Sequence, residues 1–295
     1  MKKIKKMKKM KILNLNNQSI NDIIQNGKKD KKPKYKSNSV YIKRLIIFIF
    51  LLLFIIFLIF ILIALSKFIS RNKKNKNGNK LKEIIYYNAS NIFEKRMNEL
   101  KKSSIEWPLP KEIKFKPEMS DNEIKAFLYF MKSENIYFEF GSGGSTNIAS
   151  YYKLKKVISV ESDINWHNKL KNNNISATYL TIDLKARTNE WGYPGPETNV
   201  EDWKKYIQSY KSEYNADIIL IDGRFRVACG LDIFSKIRND TLVLIHDYTN
   251  RDYYHILENY YIKIRSWETL TAFFKNTTIT SIPKEVYDNY KYIAL

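Results

Sequence analysis

Between Asn135 and Ile148 the chain reads N-I-Y-F-E-F-G-S-G-G-S-T-N-I, an apolar run carrying an acid that opens directly into a glycine-rich turn. Such a run, Ile136 to Phe140, reads as a strand, with Gly141, Gly143 and Gly144 forming the turn and Ser145 or Thr146 capping the helix that follows. A strand, a glycine turn and a helix start make a ligand cradle. Residues without a Cβ let the backbone come close to a ligand, and the unbonded N–H groups of the first helical turn face a polar or negative group. This constrains everything downstream, because a strand feeding a helix this way needs further strand–helix units to cover it.

Those units are legible. Helix is expected over Thr146–Tyr152, Asp163–Lys171, Asp202–Lys211, Val227–Ile237 and Asp252–Tyr261, and strand over Lys156–Val160, Ala177–Ile182, Asp217–Ile221 and Thr241–Ile245. The alternation predicts a mostly parallel α/β sheet with helices on both faces. Leu270–Phe274 and Tyr290–Ala294 are expected to finish it as a hairpin. Upstream, Ser120-Asp-Asn-Glu123 has capping-box spacing, which starts a helix over about 121–133. Pro108 and Pro110 mark the entrance to this domain, taken as residues 105–295.

The first third of the chain is of another kind. Leu45–Leu65 is 21 consecutive apolar residues, about 30 Å as a helix and so the depth of a bilayer hydrocarbon core. It is longer and farther from the start than a cleavable signal sequence, so an uncleaved single-pass transmembrane helix is expected. Residues 1–44 are rich in Lys and Asn with few large apolar side chains, the composition of a disordered tail. Residues 66–104 read as a Lys/Asn-rich stem or linker, helical where Ile85, Ile92, Phe93, Met97 and Leu100 share a face.

The formal charge of +21 belongs wholly to this part: residues 1–104 hold 26 Lys and Arg against 5 Asp and Glu, and the remaining 25 basic and 25 acidic residues cancel. The domain thus lacks the basic footprint of phosphate-backbone binding, and no nucleic-acid partner is expected. There are 15 basic residues before the apolar run against 7 in residues 67–84. That bias favours a cytoplasmic N-terminus with the domain lumenal, in the endoplasmic reticulum or Golgi, or external. Asn88, Asn174, Asn239 and Asn276 head glycosylation triplets, which in so Asn-rich a chain decide nothing. The single cysteine, Cys229, excludes an intrachain disulfide and a multi-cysteine zinc site, and is expected as a small buried residue.

The glycine turn fails two nucleotide-phosphate tests: Thr146 stands where a dinucleotide fingerprint needs its third glycine, and no G-K-[ST] exists for a P-loop. Glu139-Phe-Gly141-Ser-Gly143-Gly144 instead resembles the first motif of the class I S-adenosylmethionine-dependent methyltransferases, over about residues 120–260. That resemblance implies a Rossmann-like fold with S-adenosylmethionine as cofactor, bound by Glu139, Gly141, Gly143 and Gly144. It also implies that Glu161, 22 residues after Glu139, accepts hydrogen bonds from the ribose hydroxyls, a task suited to a carboxylate. Asp163 is the weaker substitute, and Asp183 falls where the family contacts adenine. Ser145 departs from the pattern, standing where many members carry a last glycine.

Two later strands also end in acids, I-I-L-I-D222 and L-V-L-I-H246-D247, at the sheet edge where open α/β folds bind ligands. Asp222, His246 and Asp247 are the candidate catalytic residues. In one reading Asp222 and Asp247 hold a divalent cation, as similar positions do in catechol-type O-methyltransferases; in the other, His246 or Asp247 is a general base without metal. Arg224 and Arg226 are candidates for holding an anionic group of the substrate, with salt bridges to Glu161, Asp222 or Asp247 as the equal alternative. Arg251 and Tyr254 divide in the same way. Trp191–Pro196 is expected as a lid or acceptor wall, or a surface loop. His167 and His255 are read as packed or exposed rather than catalytic.

The expectation is a membrane-anchored S-adenosylmethionine-dependent methyltransferase acting on a hydroxyl of a glycan or small molecule. The alternatives are a non-catalytic, membrane-tethered interaction protein that keeps the fold, and an NAD-dependent oxidoreductase, which the missing fingerprint glycine disfavours.

Overall fold

A computed structural model of the 295-residue chain describes residues 38–100, 109–186 and 190–295. Residues 1–37 of the expected disordered tail, and Pro108 at the domain entrance, lie outside the described residues. The chain divides into two compact units, Met1–Asn75 and Lys76–Leu295.

In the first unit the described residues form the beginning of α1, which runs over Asn38–Leu100. Its segment Tyr41–Phe68, 28 residues, is long and apolar enough to cross a membrane, and the side chains of the apolar run are exposed throughout. At the helical rise this segment is ~42 Å long, more than a hydrocarbon core requires.

In the second unit, the elements after α1 are α2 (Asp121–Leu128), β1 (Ile136–Phe140), α3 (Gly144–Tyr151), β2 (Lys156–Glu161), α4 (Ile164–Asn172) and β3 (Thr178–Thr181). They continue with α5 (Val200–Ile207), β4 (Ile218–Ile221), α6 (Arg226–Ile233), β5 (Leu242–Ile245), β6 (Tyr261–Trp267), β7 (Leu270–Lys275) and α7 (Lys284–Tyr290). The seven strands form one sheet in the order β3-β2-β1-β4-β5-β7-β6. The first five are parallel, and β7 runs antiparallel between β5 and β6. The order reverses on either side of β1, which puts a switch-point crevice beyond the carboxyl ends of β1 and β4.

The strands read as unbroken apolar runs because both faces are covered. Successive side chains alternate: Phe138, Phe140, Ile219, Ile221, Val243 and Ile245 enter one core with Tyr206 of α5 and Val227 of α6. Tyr137, Ile218, Leu220, Leu242 and Leu244 enter the other with Ile124 and Phe127 of α2 and Ile148 of α3. The capping box that starts α2 is present, Ser120 Oγ accepting from Glu123 N at 3.3 Å and Glu123 Oε2 accepting from Ser120 N at 2.8 Å.

The structure departs from the sequence-based expectation in three places. The closing hairpin is not Leu270–Phe274 with Tyr290–Ala294: β7 pairs with β6, and Lys284–Tyr290 is helical behind Pro283. Within Y-I-K-I-R-S-W, Ile262–Arg265 alternates apolar and charged residues at the strand period, and the turn at Glu268 adopts a left-handed φ of 49°. Asp252–Asn259 is a 3-10 helix ending before that strand rather than an α-helix through Tyr261. Nor is the whole stretch 66–104 a linker, because Ala89 and Phe93 of α1 are buried in the second core. There the Phe93 ring lies 6.0 Å from Phe130 and 6.1 Å from Trp267.

Candidate functional site

The site is built at the carboxyl edge of the sheet from the turns after β1, β2, β4 and β5. Gly141 leaves β1 with φ +92°, the left-handed side that favours glycine, and donates its N–H to Val160 O at 2.9 Å. A Cβ there would meet Gly223 Cα and N at 2.7 Å, so the turns after β1 and β4 are in backbone contact. Gly143 has extended backbone, and a Cβ on it would meet no atom within 4 Å. The glycine turn therefore presents an open face, with the start of α3 directly beneath it.

Glu139 is the buried foundation of this turn. Its carboxylate accepts from Tyr137 OH at 2.7 Å, from Ser145 Oγ at 2.6 Å and from the Thr146 hydroxyl. Burial pushes its pKa up, against the pull of those hydroxyl bonds. With its oxygens occupied below the loop, Glu139 anchors the cradle rather than lining it. Ser145, the departure from the family pattern, thus has a partner in the same acid.

Glu161 lies at the end of β2 beside the turn. Its Oε1 accepts from the N–H groups of Ser162 and Asp163 at 2.7 and 2.8 Å, and Oε2 accepts from Ser142 N at 3.1 Å. Burial raises its pKa to about 7 despite these three backbone bonds. Oε2 takes a single bond from the described residues and retains capacity to accept another. Asp163 is the N-cap of α4, accepting from Asn165 N and Trp166 N, and so has a structural task. Asp183, after β3, is half-buried and paired with Lys185 Nζ at 2.6 Å.

Asp222, His246 and Asp247 do come together. Asp222 Oδ1 is 2.9 Å from His246 Nδ1, and Asp247 Oδ1 is 3.8 Å from the same nitrogen. An ionised carboxylate only accepts, so Nδ1 carries the proton toward Asp222 and leaves Nε2 as the other ring position. Burial alone would raise the Asp222 pKa, but Arg226 and the His246 hydrogen bond outweigh it and hold it below the ordinary range. Burial alone would lower that of His246, but the bond to Asp222 and the charges of Asp222 and Asp247 raise it. Two residues at this edge, Phe225 and Asp247, hold left-handed backbone at φ 55° and 54°, strain that the flanking elements sustain.

The two arginines expected to hold substrate are otherwise engaged. Arg226 is buried and reaches Asp222 Oδ1 at 3.3 Å, Asp247 Oδ2 at 3.0 Å and the carbonyl of His246 at 2.6 Å. Its alternative role, the internal salt bridge, is the one found. Arg224 turns the other way and donates to the carbonyls of Trp191 and Glu190 at 2.9 and 2.8 Å. Ser162 Oγ donates to Gly192 O at 3.3 Å. Residues 190–192 therefore form a strap tied to the turns after β2 and β4, with Trp191 left 76% exposed. Arg251 pairs with Asp247 Oδ2 at 2.9 Å and donates to Tyr254 OH at 3.0 Å.

Asp222, His246 and Asp247 offer donor atoms within 4.8 Å of one another, a spacing open to a cation. As placed, the group does not fit one, because the Arg226 guanidinium already bridges the two carboxylates.

Three contributors had no sequence signal as site residues. Trp166 Nε1 donates to Ser142 O at 2.9 Å and fixes the glycine turn from α4. Tyr206 OH lies under Gly223 and accepts from Arg224 N at 3.3 Å. Glu123, legible only as a cap, brings Oε2 to 3.7 Å from His246 Nε2, while its Oε1 accepts from Thr269 N at 2.7 Å.

No protein-family model matches the chain, and no curated protein matches it in sequence. Among solved structures, a methyltransferase-like protein from Silicibacter pomeroyi is 25% identical, covering 62% of this chain and 100% of its own, with a TM-score of 0.52. A TehB-like SAM-dependent methyltransferase from Corynebacterium glutamicum is 13% identical over 63% of this chain and 98% of its own, at a TM-score of 0.34. MycE methyltransferase of the mycinamycin biosynthetic pathway, in complex with Mg and SAH, is 13% identical over 55% of this chain and 47% of its own, also at 0.34. With a glycine turn at the switch point of a doubly wound seven-stranded sheet and a full-length structural counterpart among methyltransferase-like proteins, the second unit of this chain has the Rossmann-like fold of the class I S-adenosylmethionine-dependent methyltransferases.

Proposed function

We propose that this chain is a membrane-anchored S-adenosylmethionine-dependent O-methyltransferase. The observation that carries the reading is the contact between Gly141 and Gly223, which sets the open glycine cradle directly beside the turn that bears Asp222. S-Adenosylmethionine would lie on the turn Gly141–Gly144, with its ribose hydroxyls donating to Glu161 and its adenine toward Asp183. The strap at residues 190–192 would enclose it from the side of β2.

The sulfonium methyl needs no further activation, so the protein's work is alignment and removal of the acceptor proton. Bound S-adenosylmethionine would supply its methyl to the acceptor oxygen and leave as a neutral thioether, and His246 would take the hydroxyl proton. Asp222 holds the other ring nitrogen and stabilises the imidazolium that results, the division of labour of an acid-oriented histidine base. Tyr41–Phe68 would anchor the enzyme, and the anchor–stem–domain layout favours a hydroxyl on a glycan or small molecule as acceptor.

Calorimetric titration of the detergent-solubilised full chain with S-adenosylmethionine tests the cofactor. Binding that is lost in Glu161→Ala but kept in His246→Ala is the expected pattern. No binding at all would favour the non-catalytic, membrane-tethered alternative. His246→Ala should then stop methyl transfer to a hydroxyl acceptor; full turnover in that variant would remove His246 from the mechanism.

A further inference from the structure

We propose that Arg226 is a fixed internal cation standing where a divalent ion would otherwise bridge Asp222 and Asp247, so that this acceptor site is metal-independent. The inference rests on the reading of this sheet edge as the acceptor site.

The slot has the shape of a cation site: two carboxylates and an imidazole on the turns after adjacent parallel strands, with donor atoms within 4.8 Å of one another. A guanidinium fills it. Arg226 is the first residue of α6, four after Asp222, and the bend through Gly223–Phe225, with Phe225 at a left-handed φ of 55°, returns its side chain over the loop the chain has just left. Its Nη2 lies 3.3 Å from Asp222 Oδ1, and its Nη1 lies 3.0 Å from Asp247 Oδ2.

Two backbone carbonyls fix the fork. Nε donates to Gly223 O at 2.9 Å and Nη1 to His246 O at 2.6 Å, one carbonyl from each turn. Held at four points, with its side chain 9% exposed, Arg226 is part of the interior rather than a surface group that swings aside. Its planar fork suits two separated carboxylates in a way that a lysine ammonium does not. Arg251 adds a second guanidinium at 2.9 Å from Asp247 Oδ2. An incoming divalent ion would therefore meet two positive groups at the slot, with Asp222 Oδ1 and Asp247 Oδ2 already paired to guanidinium nitrogens. Beside a hydroxyl that loses its proton, the same fixed charge favours the developing oxyanion without a bound ion.

Titration of the full chain with Mn2+, followed by electron paramagnetic resonance of the free ion, tests this without any methyl acceptor. The wild type is expected to take up no Mn2+ at this edge in the micromolar range. Arg226→Ala should gain one site about tenfold or more tighter than any in the wild type, and adding Asp222→Asn should abolish the gain. Arg226→Lys, which retains the charge, should gain none. Micromolar Mn2+ binding by the wild type that is lost in Asp247→Asn would overturn the proposal, as would a folded Arg226→Ala variant that binds none. If Arg226→Ala fails to fold, the wild-type, Asp247→Asn and Arg226→Lys titrations still decide it. A chain that follows this Mn2+ pattern yet binds no S-adenosylmethionine would overturn the proposed function alone.

Discussion

Two buried acids of the same type, Glu139 and Glu161, sit 22 residues apart and serve different ends because their surroundings differ. Glu139 is held by three hydroxyls beneath the glycine turn, whereas Glu161 is held by backbone N–H groups at its rim. The pKa of Glu161, raised by burial from 4.5 to about 7, makes it the residue through which pH acts on the cradle. The folded state binds this proton more tightly than the unfolded chain. The associated stability is thus full below about pH 4.5 and is lost as the pH rises through about 7. Glu161→Gln should stabilise the protein at pH 8 by on the order of 1–3 kcal/mol, read from chemical denaturation at pH 5 and pH 8. Ribose hydroxyls donate best to the ionised acid, so S-adenosylmethionine affinity should climb about tenfold between pH 6 and pH 8, and Glu161→Gln should flatten that rise.

The glycines divide in the same way. Gly141→Ala meets both a left-handed φ and Gly223 at 2.7 Å, and should cost about 2–4 kcal/mol of stability. Gly143→Ala meets nothing within 4 Å and has an extended φ, so it should melt as the wild type does while its methyl obstructs the cofactor. Equal losses of stability in the two variants would contradict this assignment.

At the scale of elements, the strap at residues 190–192 and the end of α1 are each held by a few side chains. Arg224→Ala removes both hydrogen bonds that tie the strap to the turn after β4. The expected result is a KM for S-adenosylmethionine raised about tenfold, with kcat changed less, because in the proposed arrangement the strap would enclose the cofactor and take no part in proton removal. On the opposite face, Phe93 is wedged against Phe130 and Trp267, and the Arg265 guanidinium lies 5.8 Å from its ring. Phe93→Ala should destabilise the second unit by about 3 kcal/mol in thermal or denaturant melts. A loss below the error of the melt would mean that this part of α1 is indeed a linker. The β6–β7 hairpin is not legible in the sequence, where Tyr261 also fits the end of a helix over Asp252–Tyr261. Both periods fit so short a run, and pairing along β5 and β7 decides between them.

At the scale of the whole molecule, the charge is partitioned: +21 lies in residues 1–104, and the remainder is neutral. Tyr41–Phe68, 28 residues long and apolar enough to cross a membrane, with its side chains exposed, is the segment on which the proposed anchor rests. The full chain should therefore pellet with membranes and resist alkaline carbonate extraction, whereas a chain lacking residues 45–65 should lose that resistance. Carbonate-soluble full-length protein would refute the anchor.

Legible in the chain order are the alternation of strand and helix, the parallel sheet, the glycine turn, Glu161 after the second strand and the apolar helix. These rest on local periodicity, backbone freedom at glycine and run length, all properties of neighbours in the chain. The rest is set by contacts made in the fold: Glu139 under the glycine turn, Arg226 inside a carboxylate pair, Arg224 on the strap, and Trp166 and Glu123 among the site's supports. Arg226, Arg224, Trp166 and Glu123 depend on partners from other turns, and Glu139 on hydroxyls close in the chain that the glycine turn folds back beneath it; a side chain's choice among several oppositely charged or polar partners is settled by packing, which chain order does not encode.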